Sequence, residues 1–405
     1  MAEAGASRKS HVSNTEPTAS DAQIIDLRIE IVPMYLPFRA PSFGSASLHR
    51  ESPTGPRILI TKLTSLGDVV KTLPVVEDIR AAIPDARIDW VVERPVDALL
   101  ELHPGIERVI PLELRRYRKE RRYAAGLGAI IRDMSGLRAQ RYDLVVDLQG
   151  RMKSALTAGF ARGPVVGPAP GPRSEPHYHR LYRSCIPVGV SAGMNAIERN
   201  RALCAAALGY PLPRTAPDFG LRADDLPASS MVPSCGFALL AHGSSSAGKC
   251  WPERHWIELG RELERHGLCC LLPWGSIDEN GRAHRIAAQI GNALVLERSV
   301  TLPELMTLLS QAMVVIGTDS GLVHLAAACG APTAAIFVAT DPGVFGIRAR
   351  TPYRNLGAPG LPPLPMQVLG EVEALLAEAP SHERRRQHPD IDSSLCGTMS
   401  CLSTV

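Results

Sequence analysis

The chain reads as an α/β protein of two Rossmann-like domains with a cleft between them, and three observations carry that assignment. In the first, the apolar run Ile58-Leu59-Ile60 leads into Thr64-Ser65-Leu66-Gly67-Asp68-Val69-Val70-Lys71-Thr72-Leu73-Pro74. This puts a tight glycine turn at the carboxyl end of a strand and a carboxylate at the mouth of the next helix, where open α/β sheets place their ligands. In the second, Val314-Val315-Ile316-Gly317-Thr318-Asp319-Ser320-Gly321-Leu322-Val323-His324 repeats the arrangement far downstream. In the third, apolar runs alternate with helical patterns through both halves, which implies parallel sheets covered on both faces.

The elements follow in order. Residues 1 to about 55 are rich in Ala, Ser, Thr and Pro without sustained periodicity, so a loosely ordered leader is expected there. The first domain, 56–210, is expected to hold strands at Arg57 to Thr61, Ile88 to Val92, Arg108 to Pro111 and Leu144 to Asp147, with helices over about Asp68 to Ala82 and Ala124 to Ala139. Residues 211–236 carry too much proline and glycine for a helix or a central strand and read as a linker. The second domain, 237–378, is expected to hold strands at Phe237 to Ala241, Cys269 to Pro273, Val314 to Gly317 and Thr333 to Val338, and helices over Pro252 to His266 and Arg282 to Ile290. From 379 to 405 the composition turns polar, with Arg384-Arg385-Arg386-Gln387-His388 and a Ser-rich end, and a disordered tail is expected.

Composition narrows the function classes. With 44 basic and 41 acidic residues the net charge is only +3, so no global field points to nucleic acid, and an anionic partner must be met by a local patch. Nine cysteines form no C-x-x-C pair, and their number is odd. They read as reduced thiols, not as a disulfide or zinc framework. No apolar segment approaches the roughly 20 residues of a spanning helix, and the N-terminus lacks a signal-peptide pattern. The expectation is a soluble protein, at most attached to a membrane surface.

The second domain opens with Ala241-His242-Gly243-Ser244-Ser245-Ser246-Ala247-Gly248-Lys249-Cys250-Trp251-Pro252. Glycines and small hydroxyl residues let backbone amides approach an anion, and Lys249 adds a compact positive charge where a helix begins. Gly243, Gly248 and Lys249 fit G-x-x-x-x-G-K, but Cys250 stands where a Walker loop needs the Ser or Thr that holds magnesium, which disfavours a P-loop NTPase. A Ser/Gly surface turn has the same composition, and the loop alone does not separate the two.

The Asp319-Ser320-Gly321 turn offers amides and a hydroxyl at a helix start, a second place for a phosphate. Taken alone, N-capping explains it equally; together with the Lys249 loop it can converge on one diphosphate. Asp68 also suits a helix start through the dipole, and His324 reads first as a packed helical histidine. Asp147-Leu148-Gln149-Gly150 ends another strand, so its polar groups would face the same cleft, to bind or to cap. The run Arg115-Arg116-Tyr117-Arg118-Lys119-Glu120-Arg121-Arg122 sets six cations against one carboxylate. Such a run is ordinarily a solvated helix face, and here it can also steer an acidic acceptor or an anionic membrane. The only D-x-D pattern, Asp390-Ile391-Asp392, falls in the tail, and no His or Cys cluster has ligand spacing, so no metal is expected.

These motifs in series resemble a family. Thr64-Ser65-Leu66-Gly67-Asp68-Val69, Asp147-Leu148-Gln149-Gly150-Arg151-Met152-Lys153-Ser154, Lys249-Cys250-Trp251-Pro252, Leu272-Pro273-Trp274-Gly275, Thr318-Asp319-Ser320-Gly321-Leu322-Val323-His324 and Thr340-Asp341-Pro342-Gly343 are similar to those of the bacterial ADP-heptose:lipopolysaccharide heptosyltransferases. The order runs from about Arg57 to about Leu361, and the Arg115-Arg116-Tyr117-Arg118-Lys119 cluster looks more like heptosyltransferase I than II.

The resemblance implies a GT-B fold, with the acceptor bound mainly by the first domain and the nucleotide sugar by the second. It implies an inverting, metal-independent transfer of heptose from ADP-heptose to Kdo on lipid A, at the cytoplasmic face of the inner membrane, with no cofactor and no nucleic acid. In its terms Asp68 is the catalytic base, and Lys249 neutralises the departing ADP. Ser244 and Ser245 meet the diphosphate, as do Ser320 and Gly321, while Asp319 and His324 lie on the donor side, Asp319 on the heptose hydroxyls. Glu279 is the expected ribose ligand and Val300 lies where the adenine is expected. Ser65, Gly67, Arg115, Arg116, Arg118 and Gln149 fall on the acceptor side. Three features depart from the family. Residues 1 to about 55 are extra, Ser320 stands where Thr is common, and the likeness fades beyond Leu361.

Other functions share this fold, since fold does not fix chemistry. A relative using another donor or acceptor is the runner-up, followed by a sugar-nucleotide epimerase or hydrolase, which has no large anionic acceptor to hold with a basic patch. A non-catalytic nucleotide-sugar binder ranks last, because it would need neither Asp68 nor Lys249.

Overall fold

The computed structural model describes residues 55–114, 133–171, 174–187, 193–222, 226, 229–244 and 246–379. The first half is built on β1 (Arg57–Thr61), β2 (Arg87–Glu93), β3 (Arg108–Leu112), β4 (Leu144–Asp147), β5 (Val165–Pro168) and β6 (Ser184–Ile186), in the order β3-β2-β1-β4-β5-β6 with every pairing parallel. All five residues of β1 are buried. Helices cover both faces of the sheet, so its central strand shows as a continuous apolar run instead of an alternation.

The second half repeats the plan with β7 (Phe237–Ala241), β8 (Cys269–Leu272), β9 (Ala293–Val295), β10 (Val314–Thr318), β11 (Thr333–Phe337) and β12 (Tyr353–Gly357), ordered β12-β11-β10-β7-β8-β9 and again all parallel. Counted within each half, the two orders are the same. The order reverses between β1 and β4 in one sheet and between β7 and β10 in the other, and such switch points are where doubly wound sheets open a crevice for ligands.

The helices of the first half are α1 (Leu66–Val70), α2 (Pro74–Ala82), α3 (Asp97–Leu100), α4 (Met152–Phe160) and α5 (Ala196–Leu208). The single helix expected over Asp68 to Ala82 is thus two. Pro74 has no N–H for the carbonyl of Val70, so the ladder stops and restarts with proline at the first position of α2. Most of the helix expected over Ala124 to Ala139 lies outside the described residues; in their part of that span residues 133–135 are α-helical and a 3-10 turn follows at Gly136–Arg138.

The helices of the second half are α6 (Glu253–Arg265), α7 (Ile277–Ala287), α8 (Leu302–Gln311), α9 (Gly321–Ala328), α10 (Pro342–Phe345) and α11 (Pro365–Glu378). α7 begins five residues before the expected Arg282 because Ser276 caps it, its hydroxyl accepting from the Glu279 amide at 3.2 Å. α11 packs on α6 and on β10, β11 and β12, so the chain's last described helix stays with the second sheet.

The segment read as a linker is held down. Phe219 is buried, Arg201 of α5 bonds the Thr215 carbonyl while forming a buried, two-pronged pair with Asp78 of α2, and Arg350 reaches Asp218. One apolar cluster joins the two halves, containing Val69 and Val70 of α1 together with Leu325 and Ala326 of α9. Among the described residues no helix is long and apolar enough to cross a membrane, and all seven described cysteines are free thiols.

Candidate active site

Four loops meet at the two switch points: those after β1, β4, β7 and β10. The β1 loop is positioned by the β4 loop. Gln149 turns its side-chain carbonyl back to accept from the amides of Leu63 (2.8 Å) and Thr64 (3.3 Å), clamping the turn that carries Asp68. Asp147 holds Gln149 in place. Its carboxylate is fully buried and receives Tyr182 Oη at 2.6 Å, Ser154 Oγ at 2.8 Å, and the amides of Gln149 (2.8 Å) and Gly150 (3.3 Å). Burial raises its pKa against the pull of these donors. Asp147 therefore braces the site from beneath and does not face the cleft. Replacing Gln149 by Leu would strand two backbone amides. We expect a stability loss of about 1–3 kcal/mol in denaturant unfolding and a lower turnover at unchanged ADP affinity. Equal loss of ADP binding would count against a role confined to the first domain's half of the site.

Asp68 sits in the first turn of α1 and does two things at once. Its Oδ2 accepts from the Ser65 amide at 3.3 Å and the Ser65 hydroxyl at 3.4 Å, the expected helix-start contacts, while half of its side chain remains exposed. Lys71, one turn on, stands 3.4 Å from Oδ1. Burial works to raise the carboxyl, but Lys62, Lys71 and the Ser65 amide outweigh it and hold Asp68 below the usual carboxylate value. Lys62 is itself buried, donating to the Leu148 carbonyl at 2.8 Å; burial brings its ammonium down to about 8 although Asp68 pulls the other way.

In the second domain Lys249 and Asp319 form the centre. The Lys249 ammonium lies 2.7 Å from Asp319 Oδ2, which also accepts from Thr340 Oγ1 at 2.6 Å. Asp319 is therefore no helix cap. Ser320 occupies the cap position of α9, yet its hydroxyl makes no capping bond and is buried without a partner among the described residues. It is an idle donor at a helix mouth, where backbone amides also point outward. Ser244 donates to the Asp319 carbonyl at 3.3 Å, tying the β7 loop to the β10 turn. The Glu279 carboxylate accepts from the Gly275 amide and lies so close to Gly243 that a Cβ there would stand 2.3 Å from it. A side chain at Gly243 would thus push the Glu279 carboxylate aside. Val300 packs half-buried on the apolar cluster. His324 is buried on α9 with Nε2 unpartnered among the described residues, and burial, then Lys71, takes its imidazole down to about 3, so it is neutral. Ser245, Arg115, Arg116 and Arg118 lie outside the described residues.

The two half-sites touch. Gly67 is buried against Gly321: a Cβ on Gly67 would come within 3.1 Å of the Gly321 Cα, and one on Gly321 within 3.0 Å of the Gly67 nitrogen. Two glycines let the mouths of α1 and α9 abut, so Gly67, expected to face an acceptor, marks the point where the domains meet. The Phe345 ring of α10 lies 5.9 Å from the ammonium groups of both Lys71 and Lys249, bringing one cation from each domain to the same aromatic ring. Asn195, capping α5, donates to the Gly346 carbonyl at 2.9 Å across the same boundary. Beside the contact is a cavity of about 870 Å³ lined by Lys62, Gln149, Arg151, Arg199 and Asn200 of the first half and by Asp341 and Val344 of the second.

Comparison with known proteins decides the class. Residues 130–358 match the family model of glycosyltransferase family 9 (heptosyltransferase). The chain is a glycosyltransferase of that family. It is 40% identical over 296 residues to lipopolysaccharide heptosyltransferase 1 of Pseudomonas aeruginosa, covering 73% of this chain and 82% of the relative. It is 35% identical over 313 residues to the enzyme of the same designation from Escherichia coli K12, covering 74% and 95%. Among solved structures it is similar to the E. coli heptosyltransferase WaaC with ADP, at 33% identity and a TM-score of 0.70 over 79% of this chain and 99% of that one. The GT-B architecture of this glycosyltransferase follows from the same likeness and from its two matching sheets.

Local pattern did not single out Lys62, Lys71 and Phe345, and it showed Thr340 only as the start of the Thr340-Asp341-Pro342-Gly343 motif, without a role. Lys71 had a signal, lying three residues after Asp68 and hence on the same helical face, and Lys62 showed as a lysine closing an apolar strand. Thr340 and Phe345 reach Asp319 and the two lysines only through the fold.

Proposed function

We propose that this glycosyltransferase moves heptose from ADP-heptose to Kdo of a lipid A-linked acceptor, with inversion and without a metal, in the synthesis of the lipopolysaccharide inner core. The observation that carries it is the abutment of α1 and α9, which sets the helix start carrying Asp68 against the one that follows Asp319, the partner of Lys249. Asp68 takes the proton of the Kdo hydroxyl as its oxygen bonds to the anomeric carbon of heptose, and the bond from that carbon to the diphosphate oxygen breaks. A base on one domain and a leaving-group site on the other suit a single displacement, which inverts the centre.

Charge on the departing ADP falls to Lys249, the Ser320 hydroxyl and the first amides of α9, fixed donors that stabilise charge as it develops. Asp319, already oriented by Lys249 and Thr340, holds heptose hydroxyls with His324 as a neutral neighbour. Glu279 takes the ribose and Val300 borders the adenine. Ser244 and Ser245 contribute hydroxyls to the diphosphate. Ser65, Gln149 and the basic residues Arg115, Arg116 and Arg118 serve the anionic acceptor. A lipid-linked acceptor places the protein at the cytoplasmic face of the inner membrane as a peripheral enzyme.

The named relatives, lipopolysaccharide heptosyltransferases 1 at 35–40% identity, and a similar structure titled WaaC with ADP-2-deoxy-2-fluoro heptose support this donor. The test is ADP release from ADP-heptose in EDTA, with and without Kdo-lipid A. Release that requires the acceptor is the expected result. Release without it would make the enzyme a hydrolase, and release abolished by EDTA would overturn the metal-free mechanism.

A further inference from the structure

The outer side of the first domain carries a combination that the chemistry of the cleft does not use. α4 and the 3-10 turn Tyr178–Leu181 pack on one another, and both start at the interdomain cavity, whose lining includes Arg151, just before α4, and Tyr178. From there both run along the side of the sheet. α4 exposes Leu156 (48%) and Phe160 (41%), one turn apart and so on one face, and the 3-10 turn exposes Leu181 (40%).

At the far end Leu181 and Gly159 border a second cavity, of about 750 Å³, ringed by Arg141, Arg162 and Arg183. Chain pairing brings the three together: Arg141 bridges to Arg162, and the Arg183 amide donates to Val165 next to it. All three are exposed, and none has an ion-pair partner among the described residues. The carboxylate lining this cavity, Asp143, is engaged by the Arg57 amide at 2.8 Å. Nearby, Glu175 is taken by Arg151 and the Met152 amide, and Lys153 by Glu93.

Exposed apolar side chains beside free guanidinium groups match the layered chemistry of a bilayer surface. Guanidinium forks pair with phosphate, and apolar side chains enter the boundary between headgroups and acyl chains. A helix of α4's length spans ~13 Å, so a bilayer on this face lies close to the mouth of the interdomain cavity. We propose that Leu156, Phe160 and Leu181, with Arg141, Arg162 and Arg183, dock the protein on an anionic bilayer, lipid phosphates occupying the arginine-ringed cavity. This rests on the lipid-linked acceptor of the preceding section and adds which face meets the lipid.

The test is co-sedimentation of the full chain with phosphatidylcholine vesicles containing or lacking phosphatidylglycerol. The parent binds the anionic vesicles and loses them as salt rises. Arg141→Glu, Arg162→Glu and Arg183→Glu combined weaken binding on the order of 100-fold, and Leu156→Ser with Phe160→Ser weakens it as well. Both variants keep the parent's ADP affinity and its turnover on a deacylated acceptor, which separates docking from misfolding. Unchanged vesicle binding in both, with loss confined to Arg115→Ser, Arg116→Ser and Arg118→Ser, overturns this face while leaving the peripheral reading intact. A parent that binds no vesicle overturns both, and retention on heparin without vesicle binding would make the arginine cavity a site for a soluble polyanion instead.

Discussion

Asp68→Asn is expected to lower turnover by ~100-fold or more, the loss typical of a removed general base, while ADP affinity stays near the parent's. The reasons are local. Asparagine keeps an oxygen for the Ser65 amide, so the start of α1 is retained, and the proposed ADP site belongs to the other domain. What disappears is the half-exposed carboxylate that Lys62, Lys71 and the Ser65 amide hold below the usual carboxylate pKa.

The direction of that shift fixes the pH profile. A base works deprotonated, and a lowered pKa keeps it so as pH falls through the ordinary carboxylate range of about 4. The acid limb of kcat/KM should therefore lie below that range and vanish in the Asn variant. The parallel consequence for folding has the same sign: the stability contributed by the Asp68 contacts is present above the ordinary carboxylate value and is lost as pH drops through the folded one. A variant within tenfold of the parent, or an acid limb above the ordinary range, would remove Asp68 from the role of base.

Lys249→Ala is the second large effect. A preorganised donor aimed at developing charge is worth roughly 10²–10³ in rate, and Lys249 is both the cation of its loop and the partner of Asp319 at 2.7 Å. Turnover should fall by that order and ADP should bind more weakly. Two causes can be separated. If ADP binding suffers because Asp319 is left with Thr340 alone and repels the diphosphate, adding Asp319→Ala restores affinity. If it suffers because the diphosphate has lost its cation, the double variant binds ADP no better than Lys249→Ala. Titration calorimetry with ADP reads the difference, and the proposed role requires the second result. Intact ADP affinity in the single variant would detach Lys249 from the diphosphate altogether.

The residues differ in how far their roles could be read locally. β1 and β4 run over the spans expected of them because a strand buried on both faces writes an unbroken apolar run. Asp68 at a glycine turn and Asp319 beside Ser320 were visible as polar groups at strand ends. Whether they cap or act was not, since a cap and a ligand site use the same residue types at the same place. The structure separates the two: Asp319 turns to Lys249 and Thr340, whereas Asp68 caps with half of its side chain still exposed. Asp147 and Gln149 show the opposite case. At a strand end they could bind or cap; Asp147 turns inward to Tyr182, Ser154 and two amides, whereas Gln149 clamps the β1 loop and also lines the cavity. β5, β6, β9 and β12 escaped notice because they are three residues long or are interrupted by glycine, proline or polar residues, so no unbroken apolar run shows as it does in β1 and β4.

By itself, then, the order of residues determined the α/β class, the two repeated strand-turn-helix units and the chemical types gathered at their tips, because these depend on neighbours within one or two turns of chain. Only the tertiary structure decided which tips meet. The strand orders set β1 beside β4 and β7 beside β10, and the absence of side chains at Gly67 and Gly321 lets the two switch points close on each other. Gly67 and Gly321, 254 positions apart in the chain, become neighbours by packing alone, and no local period or spacing encodes such a contact.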